Sequence, residues 1–211
     1  MMQILVATNN ARKCAELQAL LVPLGHDVST PAEVGGVPPV VEDRPTFAGN
    51  AVKKAVSAAR ARRTWALADD SGLEVDHLGG APGVRSARFA GDDGDAERNN
   101  DALLAALSGV PPERRGARFV CVLVLARPDG TVAGEFTGVA HGRILEARRG
   151  KSGFGYDPLF LFTETGFAAT GRSFAELSRA EKSAVSHRGR ALRALADRLP
   201  ALLSAAGPAP V

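Results

Sequence analysis

Residues 65–72 read Trp-Ala-Leu-Ala-Asp-Asp-Ser-Gly, an apolar run that stops at two adjacent carboxylates. We predict a buried strand over residues 65–69 and a half-exposed strand over 73–78. Aspartate is depleted in strands and costly to bury, and neighbouring like charges repel unless a cation or proton lies between them. An acidic pair at the end of a buried strand therefore favours a hard metal ion, a general base, or both.

Strand and helix patterns alternate at both ends of the chain, with a hairpin pattern at Pro128-Asp129-Gly130 between them. Further predicted strands cover 3–7, 117–126, 131–139, 141–147 and 159–162. Predicted helices cover 11–24, 47–63, 95–107 and 191–203, with Thr46 as a cap and a capping box from Ser178 to Glu181. This order predicts an α/β fold with a mixed sheet.

Composition restricts the class of protein. The 211 residues are 45% hydrophobic, enough to bury a core as a single domain over 1–211, with a frayed tail over 207–211. The net charge of +3 is spread along the chain without a long Lys or Arg run, which disfavours nucleic acid as a partner. No signal peptide and no apolar stretch of about 20 residues is present, so we expect a cytoplasmic protein without a membrane span. Cys14 and Cys121 are expected to be buried thiols.

A first candidate site follows the first strand, where Thr8, Asn10 and Lys13 enter a helix. Free backbone N–H groups and the helix dipole favour an anion at such a place, and Lys13 adds a charge one turn further on. Helix capping without any ligand explains the same pattern equally well.

A second candidate site combines Glu42 with Asp69 and Asp70. Carboxylate oxygens are the ligands that Mg²⁺ prefers, and a third carboxylate from a loop would complete such a set. A solvated loop position is the simpler interpretation of Glu42. Adjacent strand residues point to opposite faces, so both aspartates reach one ion only if the strand ends or twists there.

Two further candidate segments lie toward the C-terminus. In Gly-Phe-Gly-Tyr-Asp-Pro, residues 153–158, the glycines leave Phe154 suited to stack on a flat heterocycle, although the ring also suits a core position. Asp157 offers an acceptor for ring N–H groups. Lys182, His187 and Arg188 supply donors for a base edge or a phosphate.

Together these motifs resemble the noncanonical purine nucleoside triphosphate pyrophosphatases, also called inosine triphosphate pyrophosphatases. The resemblance covers nearly the whole chain and is carried by residues 7–13, 46–55, 68–73, 80–83, 153–158 and 181–189. It implies a homodimer of two-lobed α/β subunits, each with a long, twisted mixed sheet flanked by helices and an active-site cleft between the lobes. It also implies hydrolysis of dITP, ITP and XTP or dXTP to the monophosphate and pyrophosphate, with Mg²⁺.

The resemblance implies a role for each matching position. Asp70 is the expected general base, and Glu42 with Asp69 or Asp70 is expected to hold the metal. The expected phosphate-binding residues are Thr8, Asn10, Lys13 and Lys54, helped by Ser71. Phe154 is expected to stack on the base, and the residues expected to read or hold it are Asp157, Lys182, His187 and Arg188. Asn9, Gly155 and Tyr156 complete the implied substrate-binding set.

Three other functions compete with this one. A pyrophosphatase for modified pyrimidine nucleoside triphosphates would share the phosphate site, but Phe154, His187 and Arg188 favour a purine. A nucleic-acid-binding module leaves the Asp69-Asp70 pair unexplained, because carboxylates repel phosphate without a metal. Asp70-Ser71-Gly72 matches an aspartic-protease triplet, but a single copy requires a symmetric dimer and the α/β pattern disfavours it.

Overall fold

A single mixed sheet organises the fold. The computed structural model describes residues 3–8, 10–91 and 94–204. Six strands follow the order β2-β1-β3-β4-β5-β6, with bounds β1 Gln3–Val6, β2 Asp27–Ser29, β3 Trp65–Val75, β4 Gly116–Ala126, β5 Val132–Ile144 and β6 Phe160–Phe162. Strand β1 runs parallel to β2 and β3, whereas β5 and β6 are antiparallel. The predicted α/β class with a mixed sheet is therefore confirmed.

Helices alternate with these strands along the chain. Their bounds are α1 Ala11–Leu21, α2 Phe47–Arg62, α3 Ala96–Ala106, α4 Arg179–Val185 and α5 His187–Ser204. Local signals placed several of their ends correctly: Thr46 caps α2 by accepting the Gly49 amide, and the capping box at Ser178 begins α4. Such caps satisfy backbone N–H groups that lack a partner within the helix.

Four boundaries differ from the prediction. Helix α1 stops at Leu21 and continues as a 3₁₀ turn over Val22–Leu24, which ends at Gly25 in a left-handed conformation (φ 81°). The segments predicted as 131–139 and 141–147 form the single strand β5. Strand β2 was not predicted, and α5 begins at residue 187 instead of 191. Short strands and extensions of this kind depend on pairing that a local pattern does not show.

The chain divides into two compact units. The first comprises Met1–Asp70, Val122–Thr137 and Ala191–Val211, and the second comprises Ser71–Cys121 and Gly138–Arg190. In the first unit, Ile4, Leu5 and Val6 of β1 are fully buried, and α2 buries a face of alanines at 51, 55, 58 and 59. The predicted single domain and the cleft between its lobes stay predictions.

The second unit has an aromatic core. Phe119 lies 4.6 Å from Phe160 between ring centroids, and Phe160 lies 4.8 Å from Phe174. Leu73, Val75 and other buried apolar side chains surround these rings. Tyr156, from the candidate segment 153–158, belongs to the same cluster.

Three remaining expectations concern the chain as a whole. Cys14 and Cys121 are buried and free, as predicted. Within the described part of the chain, no helix is both long and apolar enough to cross a membrane. Residues 207–211, expected to be frayed, lie outside the described residues.

Candidate active site

The Asp69-Asp70 pair lies in the middle of a strand, not at its end. The prediction of two strands, 65–69 and 73–78, was wrong, because β3 runs without a break from Trp65 to Val75. Both carboxylates are nonetheless buried, with 1% of Asp69 and 6% of Asp70 exposed. Since strand neighbours point to opposite faces, each acid needs its own compensating partner.

Asp69 is compensated by the first helix. The Lys13 ammonium lies 2.7 Å from Asp69 Oδ2, and the Asp69 side chain is completely buried. Lys13 occupies the first turn of α1, directly after the strand that pairs with β3. The sequence thus places a cation against this carboxylate from a segment more than 50 residues away.

Asp70 is compensated by the second helix. Lys54 Nζ lies 3.3 Å from Asp70 Oδ1 and 3.1 Å from Glu42 Oε1, so one ammonium joins the two carboxylates. Glu42 comes from the irregular segment before α2 and is only partly exposed. The structure therefore brings Glu42 and Asp70 together, whereas Asp69 is engaged by Lys13.

Asn50 also contacts Asp70, and the sequence interpretation did not assign it a role. Its Nδ2 donates to Asp70 Oδ2 at 3.2 Å, and its Oδ1 accepts the Arg44 amide at 2.9 Å. Asn50 and Lys54 are four residues apart on α2 and so share one helix face. A polar amide on the otherwise alanine-rich buried face was the signal that could have identified it.

The charges at Asp70 shift two pKa values. Burial raises the pKa of Asp70, and the negative Glu42 acts in the same direction, while Lys54 opposes them without cancelling the effect. Burial lowers the pKa of Lys54, but the carboxylates of Asp70, Asp69 and Glu42 outweigh it and hold that pKa above its ordinary value. General bases in active sites are often buried carboxylates that have a raised pKa and lie beside a fixed cation.

The carboxylate oxygens of Glu42 and Asp70 suit a hard cation. Glu42 and Asp70 already direct carboxylate oxygens at one positive charge, and oxygen is the ligand atom that Mg²⁺ requires. Among residues 3–8, 10–91 and 94–204, no three His, Cys, Asp or Glu side chains are grouped so as to hold a metal ion. Binding of Mg²⁺ by Glu42, Asp69 and Asp70 stays a prediction. Of these three residues, Glu42 and Asp70 fit it best, because their carboxylates already share one cation.

The turn into α1 is ordered by its own polar groups. The Asn10 amide donates to Thr8 Oγ1 at 3.2 Å, and Asn10 Oδ1 accepts the Lys13 amide at 3.2 Å, so Asn10 caps the helix. The Cys14 thiol donates to the Thr8 carbonyl at 3.1 Å. Asn9, predicted to bind substrate, lies outside the described residues. Phosphate binding by this turn stays a prediction.

In the second unit, two cations lie over one aromatic ring. The Phe154 ring has Lys182 Nζ at 4.7 Å and Arg188 Cζ at 5.7 Å from its centroid, and it is half-buried. The half-buried Phe154 ring is neither fully exposed for stacking on a heterocycle nor fully buried in a core position. The predicted neighbours Lys182 and Arg188 do meet at this ring.

Asp157 fixes the loop that carries Phe154. Its Oδ2 accepts the Phe154 amide at 2.8 Å and also accepts from the Lys182 ammonium. Gly153 precedes this contact with φ 84°, and a Cβ there would lie 2.2 Å from Asp157 Oδ2. The loop conformation therefore requires glycine at 153 and a small acceptor at 157.

The next two predicted residues, Gly155 and Tyr156, make internal contacts. The Gly155 carbonyl accepts Asn100 Nδ2 at 3.0 Å. The Tyr156 ring belongs to the buried core, and its hydroxyl donates to the Ser86 carbonyl at 2.8 Å. Burial raises the pKa of Tyr156 far above its usual range. Substrate contacts by these two residues stay predictions.

His187 and Arg188 begin α5. Ser186 Oγ accepts the Gly189 amide at 3.1 Å, which fixes the helix start. The His187 imidazole stacks on Phe119 with ring centroids 4.7 Å apart and planes 13° apart. Arg188 is buried, and its Nη2 lies 3.4 Å from Ser71 Oγ, the residue after Asp70 in β3. The structure thus groups Ser71, Phe154, Asp157, Lys182 and Arg188 within the second unit.

Fold and site together define a mixed-sheet α/β protein that pairs buried carboxylates with lysines in one unit and gathers cations at an aromatic ring in the other. Comparison with known sequences identifies the family within this class. The chain belongs to the Ham1 family, whose sequence model matches residues 4–198.

Similar proteins match along almost their entire length. The dITP/XTP pyrophosphatase of Anaeromyxobacter dehalogenans is 48% identical over 231 aligned positions, which cover 95% of this chain and 98% of that protein. The protein of the same name from Desulforamulus reducens is 49% identical, with 91% and 92% covered. A HAM1 protein structure from Coxiella burnetii superposes with a TM-score of 0.86 at 38% identity, covering 95% of this chain and 100% of that one.

Proposed function

We propose that this protein hydrolyses noncanonical purine nucleoside triphosphates, namely dITP, ITP and XTP or dXTP, to the monophosphate and pyrophosphate. The names of relatives that match over more than nine-tenths of the chain support this reaction. The single observation that carries it is the buried Asp70 carboxylate, held by Lys54 and Asn50 with Glu42 on the same lysine. Such hydrolysis would remove these nucleotides from the pool.

We propose that Asp70 is the general base. The reaction breaks the anhydride bond between the α- and β-phosphates, and water supplies the new P–O bond. The Asp70 carboxylate takes the proton of that water, and the pyrophosphate leaves with the electron pair of the broken bond. Burial raises the pKa of Asp70, which makes this carboxylate a stronger proton acceptor than an exposed one.

Lys13 and Lys54 are the proposed partners of the phosphates, with Thr8, Asn10 and Ser71 as additional donors. Both ammonium groups already lie against carboxylates, Lys13 at Asp69 and Lys54 at Asp70. Negative charge on the oxygens of the attacked phosphate and on the leaving group is neutralised most effectively by cations that are already held in place. Mg²⁺, when bound by Glu42 and Asp70, supplies further neutralisation of the phosphate charge.

The proposed base-binding group is Phe154 with Lys182, His187 and Arg188. The Phe154 ring is the proposed stacking surface, and Lys182 and Arg188, which lie over it, are the proposed donors for an oxygen at the purine 6-position. Adenine presents an amino donor at that position, so donor would face donor and leave buried groups without acceptors. Discrimination of this kind is strong, because unpaired buried polar groups are costly.

Pyrophosphate release from a panel of nucleoside triphosphates with Mg²⁺ tests this proposal. We expect release from ITP, dITP and XTP, much less from ATP, and none after EDTA treatment. Asp70→Asn should abolish turnover while the circular-dichroism spectrum stays that of the wild type. Absence of release from all three purine substrates would refute the proposed reaction, and preferred release from modified pyrimidine triphosphates would replace it with the pyrimidine alternative. Near-normal turnover in Asp70→Asn would remove Asp70 from the role of base.

We further propose that the protein acts as a homodimer in the cytoplasm, without nucleic acid or membrane as a partner. The homodimer rests on the family resemblance, and the even distribution of basic residues supports the absence of a nucleic-acid partner. Light scattering after gel filtration measures the molecular mass directly. A monomeric mass at micromolar concentration would contradict the dimer.

A further inference from the structure

Among the described residues, the side chain of Asn50 makes three hydrogen bonds, which reach two separate parts of the candidate site. Its side chain is completely buried, and its Nδ2 donates to Asp70 Oδ2 at 3.2 Å and to the Arg44 carbonyl at 3.4 Å. Its Oδ1 accepts the Arg44 amide at 2.9 Å. One neutral side chain therefore ties the backbone two residues after Glu42 to the carboxylate of Asp70.

Lys54 links the same two parts by charge. It lies one turn after Asn50 on α2 and joins Glu42 Oε1 to Asp70 Oδ1 at 3.1 and 3.3 Å. A phosphate bound to this ammonium would compete with both carboxylates for the same donor. The connection through Lys54 is therefore weakened whenever the lysine binds an anion, whereas the connection through Asn50 does not depend on that charge.

We infer that Asn50 is a positioning residue, which keeps the Glu42 segment and the Asp70 carboxylate in fixed relation while Lys54 binds phosphate. This inference rests on the proposed function. Asn50 contacts neither substrate nor water in this role and acts only through Asp70 and the Arg44 backbone. Loss of such positioning affects the chemical step more than binding, because displacement of a catalytic group by about 1 Å can cost about 100-fold in rate.

Asn99 provides a matched control. It also lies buried in a helix, accepts a loop amide (Ala90, 2.7 Å) through Oδ1 and donates to a loop carbonyl (Ala87, 3.0 Å) through Nδ2. A merely structural loss of hydrogen bonds is therefore the same in kind for Asn50→Ala and Asn99→Ala. Neither of these two Asn99 contacts involves a candidate catalytic residue.

Steady-state kinetics with ITP and Mg²⁺ distinguish positioning from folding. We expect Asn50→Ala to lower kcat by about 100-fold with KM changed less than about threefold. Asn99→Ala should lower the melting temperature but keep kcat within about threefold of the wild type. Equal kcat losses in the two variants, or an unchanged kcat in Asn50→Ala, would overturn the positioning role.

Hydrogen exchange at the Arg44 amide tests the anchor without any substrate. Asn50→Ala removes the acceptor of this amide and should accelerate its exchange by about tenfold or more. Asn50→Asp keeps an oxygen acceptor of the same size, so the Arg44 amide should stay protected, although kcat falls because the donor to Asp70 is replaced by a second carboxylate that repels it. Unchanged exchange in Asn50→Ala would refute the anchor. If the wild type hydrolyses no triphosphate, the proposed function fails while this measurement still decides the anchor.

Discussion

Replacement of Lys13 by methionine should destabilise the protein far more than the same replacement at Lys53. The two ion pairs have almost the same N–O distance, 2.7 Å for Lys13–Asp69 and 2.8 Å for Lys53–Asp43. They differ in burial, because the Asp69 side chain is 0% exposed and that of Asp43 is 56% exposed. Distance alone predicts equal effects, and burial predicts unequal ones.

The expected magnitudes follow from that difference. Removal of one partner from a buried pair costs about 3–5 kcal/mol, because the remaining charge stays in a poorly solvating environment. An exposed pair contributes little, because water solvates the charge that remains. In a protein of this size, about 3 kcal/mol lowers the melting temperature by about 6–12 °C. Lys13→Met should therefore melt well below the wild type, whereas Lys53→Met should melt close to it.

Urea unfolding of the nucleotide-free protein measures both effects through the midpoint and slope of the transition. The double variant Lys13→Met/Asp69→Asn removes the Asp69 charge together with its partner, so it should regain a large part of the loss. Equal midpoints for Lys13→Met and Lys53→Met would refute the argument from burial. A double variant as unstable as Lys13→Met would show that the methionine itself, not the remaining carboxylate, is harmful.

Two further predictions concern the second unit. Gly153→Ala requires a left-handed alanine and displaces the Asp157 carboxylate, so it should cost about 1–2 kcal/mol and raise KM for ITP; unchanged KM would show that this loop does not bind the base. Burial raises the pKa of Glu164, but hydrogen bonds from Arg190 and a backbone amide outweigh it and hold the pKa below 4.5. Glu164→Gln should therefore lower the free energy of unfolding by its full amount above pH 4.5, and this difference from the wild type should vanish as the pH falls through the lowered pKa. A difference in urea midpoint between the wild type and Glu164→Gln that does not change with pH would contradict this prediction.

Local signals in the sequence predicted the starts of two helices and their caps, although the end of α1 and the start of α5 differ from the prediction. Thr46 and Ser178 each cap a helix within one turn of their own position, so the local sequence is enough to predict them. The strand at Asp69-Asp70 was the opposite case. Aspartate is unfavourable in strands, and the pattern predicted a break, but lysines from α1 and α2 compensate both charges and β3 continues.

The candidate site was predictable in its residue types but not in its pairings. The motifs named the acids and the lysines, and the structure shows that Lys13 belongs to Asp69 and Lys54 to Asp70. These partners are separated by 56 and 16 residues, and only tertiary packing joins them. Asn50 has a local signal, a polar amide on an alanine-rich helix face, but its partner Asp70, 3.2 Å away, is identified only by tertiary packing.

The pairing of Lys13 and Lys54 with acids has a thermodynamic consequence for ligand binding. An anion that attracts either lysine leaves a carboxylate behind with less compensation, in surroundings where a bare charge is costly. We expect weak binding of small monoanions such as chloride for that reason. A polyanion that arrives with a divalent cation avoids the penalty, because the cation can neutralise the carboxylate as the ammonium turns to the phosphate. Cation and polyphosphate should therefore each strengthen the binding of the other by the same factor.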